Sequence, residues 1–241
     1  MRVLVVSDLH YRLRQLDWLA DAAADVDVVV IAGDLLDLRS AVPVDAQAVA
    51  LTAQLAAIDT RTTLLVASGT HDIDGGDGNG ERAPTWLRGV GAHGIPIDGA
   101  SVAVGDALFT VCPWWEGPLG RAALEQQLAD DAARRPAHWV WVHHAPPTGS
   151  PLAWDGRRAW GDDVVSGWID RFGPDIVLSG HVHQAPFVPD GGWVHRAGST
   201  WMFNAGAQHG PMPPHIVLDL DAGTATWSAG ADRHEITLHV D

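Results

Sequence analysis

The chain has no lysine, and only one cysteine and one tyrosine, in 241 residues. A single cysteine, Cys112, excludes an internal disulfide and a cysteine metal cluster. No apolar run approaches the ~18 residues a membrane span needs. Met1 to Val6 is too short, and too close to charged residues, for a secretory signal. The expected location is therefore the cytoplasm, with no membrane partner. Positive charge is scarce, since the net charge is −15 and every basic residue is an arginine. Such a surface repels duplex nucleic acid, because Lys and Arg on phosphates supply most of that affinity. No linker, repeat or low-complexity block interrupts the chain. One domain over residues 1–241 is expected.

What is plentiful is apolar residues, histidine and tryptophan. Hydrophobic residues make up 46% and charged residues 19%, a globular profile. Thirteen histidines and twelve tryptophans stand out. The first half alternates strand and helix patterns. Arg2–Ser7, Asp27–Ala32 and Thr63–Ala67 are short apolar runs, expected as buried strands. Leu13–Ala24 and Val44–Ile58 have helical spacing. Buried runs alternating with helices indicate a mostly parallel sheet. Asp74–Glu81 reads DGGDGNGE, too glycine-rich for a packed element. It is either a plain connection or a lid beside a site. Ser101–Val104 and Ala107–Val111 pair across Gly105-Asp106. Leu119–Arg134 and Asp162–Phe172 are expected helices, and His138–Val142 and Asp175–Ser179 expected strands. Trp193–Ala197, Thr200–Asn204, His215–Leu220 and Thr224–Ser228 are short strands joined by glycine turns, which favours antiparallel pairing. Two sheets packed face to face, with helices outside, account for this order.

Five polar clusters each follow an apolar strand: Asp8-Leu9-His10, Gly33-Asp34, Gly69-Thr70-His71-Asp72, His143-His144 and Gly180-His181-Val182-His183. Ligands of open α/β sheets bind at the carboxyl ends of strands. Five strands thus deliver acids and imidazoles to one rim. Carboxylate oxygen and imidazole nitrogen suit Mn²⁺, Fe, Zn²⁺ or Co²⁺. Eight candidate ligands exceed one tetrahedral site and suit two ions, with Asp34 placed to bridge them. Residues two apart in an extended segment point the same way, so Asp8 is expected to pair with His10, and His181 with His183. A lone Asp after a strand is often a helix cap and a lone histidine is usually structural. All five clusters arriving in order is the stronger signal.

This set of motifs, spread from residue 8 to residue 183, resembles the calcineurin-like metallophosphoesterase superfamily. The resemblance implies an α/β fold, a four-layer αββα sandwich of two mixed β-sheets flanked by helices. It implies two divalent metal ions, Mn²⁺, Fe²⁺/Fe³⁺ or Zn²⁺. One would be held by Asp8, His10, Asp34 and His183. The other would be held by Asp34, by His143 and His181, and by the residue at position 70. There the family has asparagine and this chain has Thr70, a shorter and poorer donor. His143 is preferred to His144 because it comes first after its strand. His71 resembles the family's catalytic histidine. Asp72 either orients the His71 ring or is a local turn residue.

The expected activity is hydrolysis of a phosphate ester, most simply a phosphodiester of a small molecule or nucleotide. A phosphomonoesterase or protein phosphatase is the alternative, as is a metal-binding module weakened by Thr70. His144, Trp114, Trp115, Arg157 and Arg158 are the candidate substrate-binding residues. Trp154 and Trp160 sit in the same stretch as the two arginines. Core packing is the competing reading for the tryptophans, and surface ion pairs for the arginines. Asn204, in Phe203-Asn-Ala-Gly206, resembles a stretch that follows the GHxH motif in small phosphodiesterases of this superfamily, with a strand-end hydrogen bond as the favoured reading.

Overall fold

The computed structural model describes residues 1–58, 62–134 and 137–238. The first half builds β1 (Arg2–Val6), α1 (Leu13–Ala22), β2 (Val28–Ala32), α2 (Val44–Ala56) and β3 (Thr63–Ala67). Next come β4 (Gly75–Gly76), β5 (Arg82–Ala83), α3 (Leu87–Gly91), β6 (Ser101–Val104) and β7 (Ala107–Val111). The chain continues through α4 (Pro118–Arg134), β8 (His138–Val142), α5 (Asp163–Phe172) and β9 (Ile176–Ser179). It closes with β10 (Val194–Ala197), β11 (Thr200–Asn204), β12 (His215–Asp219), β13 (Thr224–Ala229) and β14 (Asp232–Thr237).

Two six-stranded mixed sheets form. The first has the order β14-β13-β12-β1-β2-β3 and the second β10-β11-β9-β8-β7-β6. Strands β1, β2 and β3 run parallel, with Val6 opposite Ile31 and Ala32 opposite Ala67. This register brings the ends of the three strands level, so their following loops meet. Side-chain alternation then sorts the layers. Val3, Val5, Val28 and Val30 point between the sheets, towards Phe109, Val140, Val142 and Phe203. Leu4, Val6, Val29 and Ile31 point the other way, onto Leu16, Leu19, Leu51 and Leu55 of α1 and α2. On the far side, Trp139, Trp141 and Val177 pack against Leu124 and Leu128 of α4 and Val165, Trp168 and Ile169 of α5. The result is the expected four-layer sandwich. Because both faces of each central strand are covered, their sequences are continuous apolar runs rather than alternating ones. Several tryptophans are thereby core residues, as Trp139 shows by donating from Nε1 to Thr110 at 2.9 Å inside the core.

Two details differ from expectation, and one open alternative resolves. Strand β11 pairs antiparallel with β10 but parallel with β9, Trp201 opposite Ile176. The crossover from β9 to β11 reverses the direction that glycine turns alone suggest. Strand β14 adds a third antiparallel strand beyond β13; its polar, exposed sequence hides the alternation. The glycine-rich segment 74–81 is a built connection rather than a lid. The Asp77 carboxylate accepts the Asn79 and Glu81 N–H groups, both at 2.9 Å. Glu81 then accepts the Leu119 and Gly120 N–H groups, both at 2.8 Å, at the start of α4. That contact satisfies orphan helix donors and places negative charge at the positive end of α4. Among the described residues no helix is long and apolar enough to cross a membrane.

Candidate metal centre

The loops after β1, β2, β3, β8 and β9 converge at the carboxyl ends of both sheets. The first two are tied together, since Asp8 N–H donates to Gly33 O at 2.9 Å and His10 N–H to Asp34 O at 3.0 Å. The ligand residues do not use strand alternation. Asp8, His10, Asp34 and His181 have φ of 55°, 42°, 56° and 68°. Left-handed backbone at non-glycine residues costs of order 1–3 kcal/mol each and clusters at functional sites. These motifs are turns, each aimed by its own hydrogen bonds. Two glycines are sterically required. A Cβ on Gly69 would lie 2.2 Å from Asp34 Oδ1, and one on Gly33 would lie 2.5 Å from His144 Nδ1.

Asp8, His10, Asp34 and His183 form one cluster, with one donor atom from each lying within 4.8 Å of all the others. His10 Nε2 is 3.0 Å from His183 Nε2, His183 Nε2 is 3.2 Å from Asp8 Oδ1, and His10 Nε2 is 3.8 Å from Asp34 Oδ2. Two imidazole nitrogens and two carboxylates aimed at one point fit a divalent cation. His10 Nδ1 is held by Leu36 O at 3.2 Å, which turns Nε2 inward.

His144, Thr70 and His181 gather close by, the first two in contact with Asp34. His144 Nε2 lies 3.3 Å from Asp34 Oδ2 and 4.0 Å from Asp8 Oδ1. Its Nδ1 is fixed by Ala32 O at 2.8 Å. The Thr70 hydroxyl reaches both Asp34 oxygens, at 3.4 and 3.3 Å. The His181 ring centroid is 5.1 Å from that of His144. Asp34 thus belongs to the four-residue cluster and also touches His144 and Thr70, the contacts a carboxylate shared by two ions would need. Burial favours neutral carboxyls, yet His183 and His144 hold the buried Asp8 below the usual carboxylate range. His144 does the same for Asp34, helped by the His71 N–H and the His10 ring. Burial lowers His144, but Asp34 and Asp8 outweigh it and raise the ring to about 10. Two buried ionised carboxylates ringed by imidazoles attract positive charge to this point, a setting that fits divalent cations.

Three expected assignments change. The ligand preference within the histidine pair reverses. His143 turns away, with Nδ1 on Ala145 O at 3.0 Å and its ring against Trp115 at 5.1 Å between centroids. Its Nε2 is buried without a hydrogen-bond partner, and burial lowers the ring to about 4. The two histidines follow β8, and the contacts of each ring, not strand alternation, separate them: Ala145 O and Trp115 for His143, Ala32 O and Asp34 for His144. Asp72 does not hold the His71 ring. It is buried and accepts the N–H groups of Asp34, Leu35, Leu36 and Gly69 at 2.8 to 3.0 Å. Burial and the Asp34 charge push its carboxyl up to about 7, against the pull of those donors. Its role is to fix the loop that carries Asp34. Arg157 and Arg158 do not line the cavity over the metal ligands. Their N–H groups donate to Asp155 at 2.7 and 2.8 Å, and the Arg158 guanidinium lies 3.3 Å over the Trp160 ring.

That cavity measures about 570 Å³ and includes His10, Asp34, Thr70, His71, His181 and His183 in its lining. His71 stands edge-on to His10, 4.6 Å between centroids. Its N–H donates to Asp34 Oδ1 at 2.8 Å. Trp114 flanks the centre 5.8 Å from both His144 and His181, whereas Trp115 packs onto Trp168 of α5 at 5.3 Å. Trp154 bridges Ala159 and closes the loop bearing Trp160. Asn204 is structural. Its Nδ2 donates to Leu152 O at 3.2 Å and to Val182 O at 3.1 Å, between the two histidines of the last motif. The cavity also takes in Arg12, Asp37, Arg39, Asp155 and His209, which carry no motif spacing. Only their nearness to Asp8-Leu9-His10 and Gly33-Asp34 hinted at the first three. A separate cavity of about 380 Å³, lined by Ile176, Trp201 and Leu220 among others, opens at the amino ends of β8 and β9, away from these ligands.

Comparison with known proteins agrees with this geometry. Residues 1–185 match the family described as Calcineurin-like phosphoesterase. No curated protein matches the sequence. Among solved structures, TT1561 of Thermus thermophilus is similar with TM-score 0.61 and 14% identity, over 99% of each chain. A purple acid phosphatase from yellow lupin (Lupinus luteus) seeds is similar with TM-score 0.57 and 16% identity, over 98% of this chain and 53% of that one. GAP50 of Plasmodium, an anchor in the inner membrane complex, has TM-score 0.54 and 10% identity, over 99% and 89%. At such identities these structures share the fold. The match over 185 of 241 residues, on the motifs that build the cluster around Asp34, places the chain in the calcineurin-like phosphoesterase family.

Proposed function

We propose that the protein is a dinuclear-metal phosphodiesterase acting on a small-molecule phosphate ester. The observation that carries this is Asp34, a buried carboxylate that belongs to the cluster with Asp8, His10 and His183 and is also contacted by His144 and Thr70. Asp8, His10, Asp34 and His183 would hold one ion, and Asp34, Thr70, His144 and His181 the other. When bound, such a pair polarises phosphoryl oxygens and acidifies a water for attack on phosphorus. Mn²⁺, Fe and Zn²⁺ all suit this donor set.

The chain's own groups do the rest. His71 lines the cavity beside the ligands, and its Nδ1 has no partner inside the protein. Its ring is placed to donate a proton to a phosphoryl oxygen or to the departing alkoxide. Asp34 is kept anionic chiefly by His144, and the His71 backbone N–H helps to hold it in place. Outside the ligands and His71, the cavity's charges balance, Arg12 and Arg39 against Asp37 and Asp155. A lining of this kind grips a diester monoanion adequately and a monoester dianion poorly, which favours a diester over the phosphatase alternative.

The test is turnover of bis(p-nitrophenyl) phosphate and p-nitrophenyl phosphate by metal-stripped protein as Mn²⁺ is added. Metal-dependent hydrolysis, faster on the diester and lost in His71→Ala, supports the proposal. Faster monoester hydrolysis would replace it with a phosphatase.

A further inference from the structure

The geometry points to Trp160 as a preorganised stacking platform that selects substrates carrying a nucleobase or a similar planar ring. This deepens the phosphodiesterase reading and rests on it. Trp160 is 40% exposed, an unusual place for an indole with no task. It lines the cavity over the metal ligands, and its ring lies 6.2 Å from that of His181, nearly perpendicular to it.

The ring is held, not loose. Its Nε1 donates to Asp155 Oδ2 at 2.7 Å. The Trp160 N–H donates to Ala153 O at 2.8 Å. Asp155 in turn is fixed by the Arg157 and Arg158 N–H groups, and Trp154 and Ala159 bridge across the loop. The Arg158 guanidinium covers one side of the indole at 3.3 Å. A ring pinned at its nitrogen and backed by a cation has lost its freedom before any ligand arrives, so stacking costs little further entropy. The exposed part of the ring borders a cavity of about 570 Å³, far larger than a phosphoryl group fills and in the range of drug-sized ligands. Base–aromatic stacking tolerates any base, so the platform selects for a planar ring and not for one base.

The probe pair is adenosine 5′-phosphate and ribose 5-phosphate, which share charge and sugar and differ by the base. Their binding to Mn²⁺-loaded protein is measured by calorimetry, and hydrolysis of an aryl diester is measured on the same preparations. The expected result is about fivefold to a hundredfold tighter binding of the adenosine compound. That ratio falls towards one in Trp160→Leu and survives largely in Trp160→Phe, which keeps a ring. A ratio of one in the unaltered protein, or one unchanged in Trp160→Leu, overturns the inference. Base-dependent binding without metal-dependent hydrolysis would leave the platform standing and remove the phosphodiesterase reading instead.

Discussion

At position 144 a ring nitrogen sits 3.3 Å from Asp34, while the neighbouring His143 points into tryptophans. His144→Ala is therefore expected to lower the bound metal from two ions per chain to one, read by elemental analysis. His143→Leu should keep both, because that ring packs against Trp114 and Trp115 and makes no contact with Asp34. Loss of an ion in His143→Leu alone would reverse the assignment. Thr70 is the other informative residue. Its hydroxyl reaches the Asp34 carboxylate but brings a shorter, weaker oxygen than an amide carbonyl. Thr70→Asn should tighten the weaker metal step on the order of tenfold, about 1.4 kcal/mol, in a Mn²⁺ titration. An unchanged titration would mean the hydroxyl already serves. The ligand types were legible in the sequence because acids and histidines followed each apolar run. Which of two adjacent histidines faces the metal was not, since that depends on how β8 ends. The cavity walls were less legible still. Arg12, Arg39 and His209 belong to no motif, and His209 is presented by a loop that the distant Gln15 side chain holds at 2.9 and 3.1 Å.

The loop after β2 is an element without regular structure, and Asp72 is what gives it shape. One carboxylate accepts four backbone N–H groups there, three of them from the Asp34–Leu36 turn. Asp72→Asn replaces an acceptor by a donor against donors. A loss of about 3 kcal/mol is expected from unsatisfied buried groups. Thermal melting should show a fall of roughly 6–12 °C for a chain of this size. Metal affinity should fall with it, because Asp34 loses its support. A variant that melts normally and loses only turnover would instead return Asp72 to a direct role beside His71. The strands and helices themselves were legible because β1, β2, β3, β8 and β9 are unbroken apolar runs covered on both faces. Strand β14 was hidden by its exposed, charged sequence. The parallel pairing of β11 was hidden because direction is set by the crossover and not by the turn.

At the scale of the whole molecule, Asp98 is a partly buried acid outside the cluster. It accepts the Ser68 N–H at 2.8 Å, and Ser68 Oγ accepts the Trp114 N–H at 2.9 Å. Burial pushes the Asp98 carboxyl up to about 7. A raised acid pKa means the unfolded chain gives up its proton first. The penalty is absent below the unfolded value, grows as pH rises, and is complete above about 7. Asp98→Asn is therefore expected to raise the melting temperature more at pH 8 than at pH 5. Equal shifts at both pH values would show that the carboxylate is not penalised. Two ions sharing Asp34 are the centre of the proposed chemistry. Its most direct test counts metal ions per chain along a Mn²⁺ titration of stripped protein, with turnover of an aryl phosphodiester followed in the same samples and Asp34→Asn alongside. Two ions bound, activity rising with the second, and both lost in Asp34→Asn is the result the account requires. Full activity at one ion, or two ions bound with no turnover, would contradict it.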